Sequence, residues 1–99
     1  MQSFYPERFE RVIWITEEEW LRCLPDAIGD YFSKLHANSA GVRIDEGALG
    51  LTWEVALPKK MGLISFPRLV VKFRFAGLDD GQRFKFMKRF DLFMHKGGG

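Results

Sequence analysis

Cysteine and histidine are scarce in this 99-residue chain, which has one Cys (Cys23) and two His (His36 and His95). A single cysteine forms no internal disulfide, and one Cys with two His cannot assemble a four-ligand zinc site unaided. A His36–His95 metal pair would need carboxylates from elsewhere, and no spacing suggests one. No apolar run approaches the roughly 18–20 residues that span a bilayer. The charged start, Met1 to Arg8, lacks the apolar segment of a secretory signal. These absences lead to the expectation of a cytoplasmic chain without a membrane span. The sequence also contains no G-x-S-x-G elbow and no H-E-x-x-H pair, and Gly47, Gly50 and Gly62 lack the spacing of a phosphate-cradling loop. Cys23 and His36, thirteen residues apart on one element, would lie about 20 Å apart along a continuous helix, too far for a nucleophile–base pair. No catalytic residue, cofactor site or metal site is assigned.

The composition that remains is 46% hydrophobic, 15% aromatic and 28% charged, which suits one small globular domain over residues 1–99 with a glycine tail at 97–99. The net charge of +2 conceals a split: residues 1–49 hold five Lys/Arg against nine Asp/Glu, and residues 50–99 hold ten against four. Whether the C-terminal cations form one surface depends on the fold.

Arg11–Thr16 is β-branched and aromatic and reads as a strand. Thr16 and Glu19 then form a capping-box pair, with Glu17 and Glu18 adding negative charge at a helix start. Trp20, Leu21, Leu24, Ile28, Tyr31, Phe32 and Leu35 share one third of the circumference of a helix over about 17–37, kinked or divided at Pro25. Three strands follow: 42–46, then 49–57 with strict alternation, then 68–76 with Leu69, Val71, Phe73 and Phe75 on one side. Pro67 lacks a ladder donor, so the last strand should begin after it or lie at an edge there.

The segment 78–96 fits either element by periodicity. Asp79 and Gln82 resemble a capping box, and His95, Lys96 and Gly97 suit a helix end, so the end signals favour a helix, with a strand as the alternative. The expected fold is α+β: a two-layer sandwich of order β-α-β-β-β-α, with two helices on one face of a three- or four-stranded antiparallel sheet.

The order from Thr16 to Lys96 is similar to that of a double-stranded-RNA-binding domain, but the lysine cluster that family carries at its second helix is absent, since Gly81–Phe86 offers only Arg83 and Lys85. Arg83–Phe90 resembles the aromatic strand of an RNA recognition motif without its glycine and small residues. Order without motif residues is analogy.

Two surfaces therefore stand out. Arg68, Lys72, Arg74, Lys85 and Arg89 are the candidate cations for a partner or nucleic acid; a helical 82–95 would divide them between opposite sides of the molecule. Met61, Leu63, Ile64 and Phe66, in a proline-bracketed segment too apolar for a plain loop, form either a protein contact or a folded extension of the hairpin. The expectation is a non-enzymatic binding domain with a protein partner or a second copy of itself, nucleic acid standing second and an enzyme with dispersed catalytic residues third.

Overall fold

A computed structural model describes the backbone of residues 4–97 and the side chains of residues 4–94. The elements are β1 (Arg8–Ile13), α1 (Glu17–Ile28), β2 (Ser33–Leu35), β3 (Ser39–Ile44), β4 (Gly47–Met61), β5 (Ile64–Ala76) and α2 (Asp80–Gly97). The strands form one antiparallel sheet in the order β1-β5-β4-β3-β2. The α+β sandwich is as expected, but the sheet formed by the described residues has five strands rather than three or four. The glycine tail expected at 97–99 falls partly outside the described residues; Gly97 is the last residue of α2.

Both helices lie on one face. Trp20 and Leu24 of α1 and Phe86, Met87 and Phe90 of α2 meet Leu51 and Trp53 of β4 and Val71 and Phe73 of β5 in one buried cluster. Edge-to-face ring contacts lock the layers together, Trp20 on Trp53 at 5.4 Å and Phe90 on Phe73 at 5.5 Å.

The capping signals place both helix starts. The Glu19 N–H donates to Thr16 Oγ1 at 3.1 Å, while the Glu19 carboxylate lies 4.0 Å from Arg22. At α2 the box is reciprocal: the Gln82 N–H donates to Asp79 Oδ1 at 2.8 Å and the Asp79 N–H to Gln82 Oε1 at 2.9 Å.

The first helix is shorter than its apolar stripe implied. Pro25 is accommodated inside it, and the chain leaves the helix at Gly29, whose φ of 73° and ψ of −139° are open only to glycine at little cost. Phe32 and Leu35 then stand exposed, and residues 33–35 pair with β3 as an edge strand. The first strand starts three residues earlier than expected, because Arg8–Ile13 pairs with Leu69–Arg74 of β5. The strand expected at 42–46 is Ser39–Ile44, and a turn at Asp45, with φ of 52°, ends it.

The proline-bracketed segment is a hairpin. Pairing between β4 and β5 continues to Met61 and Ile64, with a register shift between Ala56 and Lys59. Leu57 and Pro58 there stand opposite the single residue Pro67, so both prolines sit at a bulge where the ladder is already interrupted. Arg68 Nε donates to the Leu57 carbonyl at 2.8 Å, giving an acceptor at the bulge a partner. Gly62, with φ of +63°, takes the first central position of the tight turn, as a type II′ hairpin requires.

Candidate interaction surfaces

The sheet face away from the helices is uncovered, and the register fixes what it presents. Directly paired residues of antiparallel strands share a face. One row therefore crosses the sheet as Lys34, Gly41, Gly50, Arg74 and Arg8, from β2 to β1. The next row runs Ser39, Thr52, Lys72 and Glu10. With Arg43 and Arg68, the described part of this face carries six cations against two carboxylates, Glu10 and Glu54, before the arm, where Lys59, paired with Phe66, adds a seventh. Among the described residues, Arg8, Lys34, Arg43, Lys72 and Arg74 make no side-chain hydrogen bond or ion pair.

The centre of the face is low. A Cβ on Gly41 would meet nothing within 4 Å, and one on Gly50 only the Arg74 carbonyl at 3.8 Å. Together with Ala48, Ser39 and Thr52 these glycines floor an open hollow of about 540 Å³, rimmed by Phe32, Lys34, His36 and Arg43.

Past the Lys72–Glu10 row the same face turns apolar. Val12 is 48% exposed and Trp14 50%, and the Trp14 ring meets Phe66 edge-on at 6.0 Å. Ile64 and Met61 carry the strip outward along the arm. Among the described residues the arm has no flanking strand, since β3 reaches only Thr52 of β4 and β1 only Leu69 of β5. It projects roughly 15 Å past the last three-stranded row at about 3.4 Å per residue, within a molecule 47 Å in its longest dimension. Leu57 is 81% exposed, and Leu63 at the turn has no cover at all.

The candidate cations divide between the two layers. Arg68, Lys72 and Arg74 share the open face; Lys85 and Arg89 belong to α2 on the other side, lining a separate hollow with Tyr31, Phe84 and Phe93. Arg89 has a structural task, donating from Nη2 to the Asp26 carbonyl at 3.3 Å and lying 4.5 Å over the Phe93 ring. It brings positive charge to the end of α1, whose own last turn holds no basic residue. The apolar candidates stay together: Met61, Ile64 and Phe66 share the outer face of the arm and Leu63 forms its turn. Arg8 and Lys34 were not candidates from sequence, because their positions on the face follow from the longer β1 and from β2.

The arginines that reach into the molecule already have partners, and the buried Trp20 Nε1 is the one described side-chain donor there without a hydrogen bond. Arg83, buried at 6% exposure, donates from Nε to the Tyr5 carbonyl at 2.8 Å and from Nη1 to the Leu78 carbonyl at 2.6 Å, and pairs with Asp80. Arg11 bonds Asp91 at 2.5 and 3.1 Å and lies 5.4 Å over the Phe73 ring. Burial raises the Tyr5 phenol above its ordinary range, and its hydrogen bond to Asp91 adds to the shift. Burial works against the Arg11 charge, but Asp91 outweighs it and the guanidinium is held more firmly protonated than usual. Cys23 is half-buried against the core; the side chain of His95 lies outside the described residues. No group of three or more His, Cys, Asp or Glu among the described residues could hold a metal ion, and no described helix is long and apolar enough to cross a membrane.

No protein-family model, curated protein or solved structure matches this chain.

Proposed function

We propose that this chain is a non-enzymatic interaction domain that associates with a second copy of itself through the β4–β5 arm. The observation behind this reading is the arm itself: a bulged hairpin with Leu57, Met61, Leu63 and Ile64 each more than half exposed, and Val55 equally so at its base. Two strands alone are marginal in water, and exposed edges invite pairing. An arm of this composition is therefore best stabilised by apolar surface from another molecule. Each copy also carries what an arm would seek, because Val12, Trp14 and Val70 form an apolar strip at its base. A two-fold axis places each arm against the other copy's strip, giving the self-complementary contact of an isologous dimer. Association through the middle of the open face is disfavoured, since it would bring two cationic surfaces together. The reading also takes the chain as cytoplasmic, on its single cysteine.

Light scattering across a size-exclusion peak tests this. The expected mass at tens of micromolar is twice the 11.5 kDa of one chain. The double substitution Leu57→Ser, Leu63→Ser should return the mass to one chain with an unchanged circular dichroism spectrum, because both side chains lie outside the core. A wild-type monomer at high micromolar concentration overturns the reading.

A further inference from the structure

We infer that the open sheet face binds the phosphodiester chain of a single-stranded nucleic acid along the row Lys34–Gly41–Gly50–Arg74–Arg8. Self-association through the arm is not needed for it.

Three observations carry the inference. Arg8 and Arg74 are direct cross-strand partners on one face. Like charges so placed destabilise a sheet, and Lys72 lies one position further along the same face of β5. Glu10, opposite Lys72, forms no ion pair with it. A fold that retains this repulsion gains stability when an anion neutralises it. Second, the cations flank a floor without side chains. Lys34 and Arg8 stand at opposite ends of a row four inter-strand spacings wide, about 19 Å, with the Gly41–Gly50 pair near its middle. That width accommodates several nucleotides lying across the strands, and the glycines let planar bases approach the backbone. Third, Phe32, 64% exposed, and His36 rim the hollow beside Lys34 and Arg43. Aromatic faces at the border of a cationic groove are what a single strand uses for stacking. A duplex has its bases turned inward and would meet this flat face through phosphates alone. An acidic polypeptide would satisfy the charges but has no planar groups for Phe32 and the glycine floor.

The experiment is fluorescence anisotropy of the full chain with labelled 12-nucleotide single-stranded RNA and DNA. The same RNA annealed to its complement and poly-glutamate serve as competitors, and salt is set at 50 and 200 mM. Four phosphate contacts predict about a fifty-fold loss of single-strand affinity between the two salt concentrations. The RNA and DNA arms show whether the 2′-hydroxyl matters; binding of either supports the inference. Arg8→Glu is the decisive variant. It turns the Arg8–Arg74 repulsion into attraction, so the protein should unfold at higher urea while binding weakens at least ten-fold. A merely structural arginine would not move those two readouts in opposite senses. Lys85→Glu, on the far layer, should bind like the wild type. Phe32→Ala should weaken binding with little change in the salt slope. The inference is overturned by absence of binding at 50 mM salt, by equal competition from duplex or poly-glutamate, or by Arg8→Glu binding like the wild type. None of these results depends on the oligomeric state, which light scattering reports separately.

Discussion

Arg11 on β1 and Asp91 on α2 grip each other at two points, Nη1 to Oδ1 and Nη2 to Oδ2, and the Tyr5 hydroxyl donates to the same carboxylate at 2.8 Å. The pair ties the edge strand to the last helix across 80 residues of chain. Both side chains are about one quarter exposed, so the pair lies between the surface and interior cases. Asp91→Asn keeps the shape but leaves the Arg11 guanidinium uncompensated among aromatic rings. The expected loss is about 2 kcal/mol, read from urea denaturation.

Tyr5 gives the same cluster a pH dependence. Its phenol titrates higher in the folded protein than the ordinary value of 10.0, chiefly because it is buried. Above pH 10 the unfolded chain releases this proton while the folded protein keeps it. The stabilisation is therefore fully present below pH 10 and declines as pH rises through the folded value. Denaturation midpoints for wild type and Tyr5→Phe should fall in parallel up to about pH 10, after which the wild type should fall faster. Parallel curves to pH 11 would refute the assignment.

The legible part of this fold is what local chemistry controls. Thr16 and Asp79 announce helix starts by side-chain bonds three residues long, and the alternation from Leu49 to Leu57 and from Arg68 to Ala76 marks two strands. The end of α1 was hidden because Ile28, Tyr31, Phe32 and Leu35 continue its stripe; the chain instead turns at Gly29 and pairs a three-residue strand with β3. Pro58 and Pro67 each read as a strand boundary, yet a bulge that opposes them lets both stay within the hairpin. Nothing near Arg83 in the chain marks it for burial, because the Tyr5 carbonyl that its Nε meets lies 78 residues away. The cationic face has the same origin. Arg8 and Arg74 are far apart in the chain, and only the β1–β5 register makes them neighbours.

Gly29 and Arg89 form a coupled pair at the junction of the helices. A Cβ at Gly29 would stand 2.6 Å from Arg89 Nε, in a backbone conformation that L-residues rarely adopt. Gly29→Ala should cost about 1–2 kcal/mol from the backbone alone and also displace the guanidinium from the Asp26 carbonyl. In an Arg89→Ala background the crowding is gone and only the backbone cost remains. A double-mutant cycle should therefore give a coupling of about 0.5–1 kcal/mol. Strict additivity would show that Arg89 does not sit over Gly29 in solution.

The arm offers a case where a substitution meets no steric obstacle and still has a cost. Nothing lies within 4 Å of a Cβ built on Gly62, but φ is +63° there. Gly62→Ala should weaken the turn by about 1 kcal/mol, whereas Gly62→Asn, which tolerates this region better, should weaken it less. Because only β4 and β5 pair in the arm, the loss is local and leaves the helix–sheet core intact. Amide exchange at Lys59, Met61 and Phe66, the hydrogen-bonded positions of the arm, should quicken about five-fold in the alanine variant, while amides of Val71 and Phe73 keep their rates. Self-association should weaken with it, since an arm that opens more often presents its apolar face less of the time. Uniform quickening across arm and core would instead mean that the hairpin folds as one unit with the rest of the sheet.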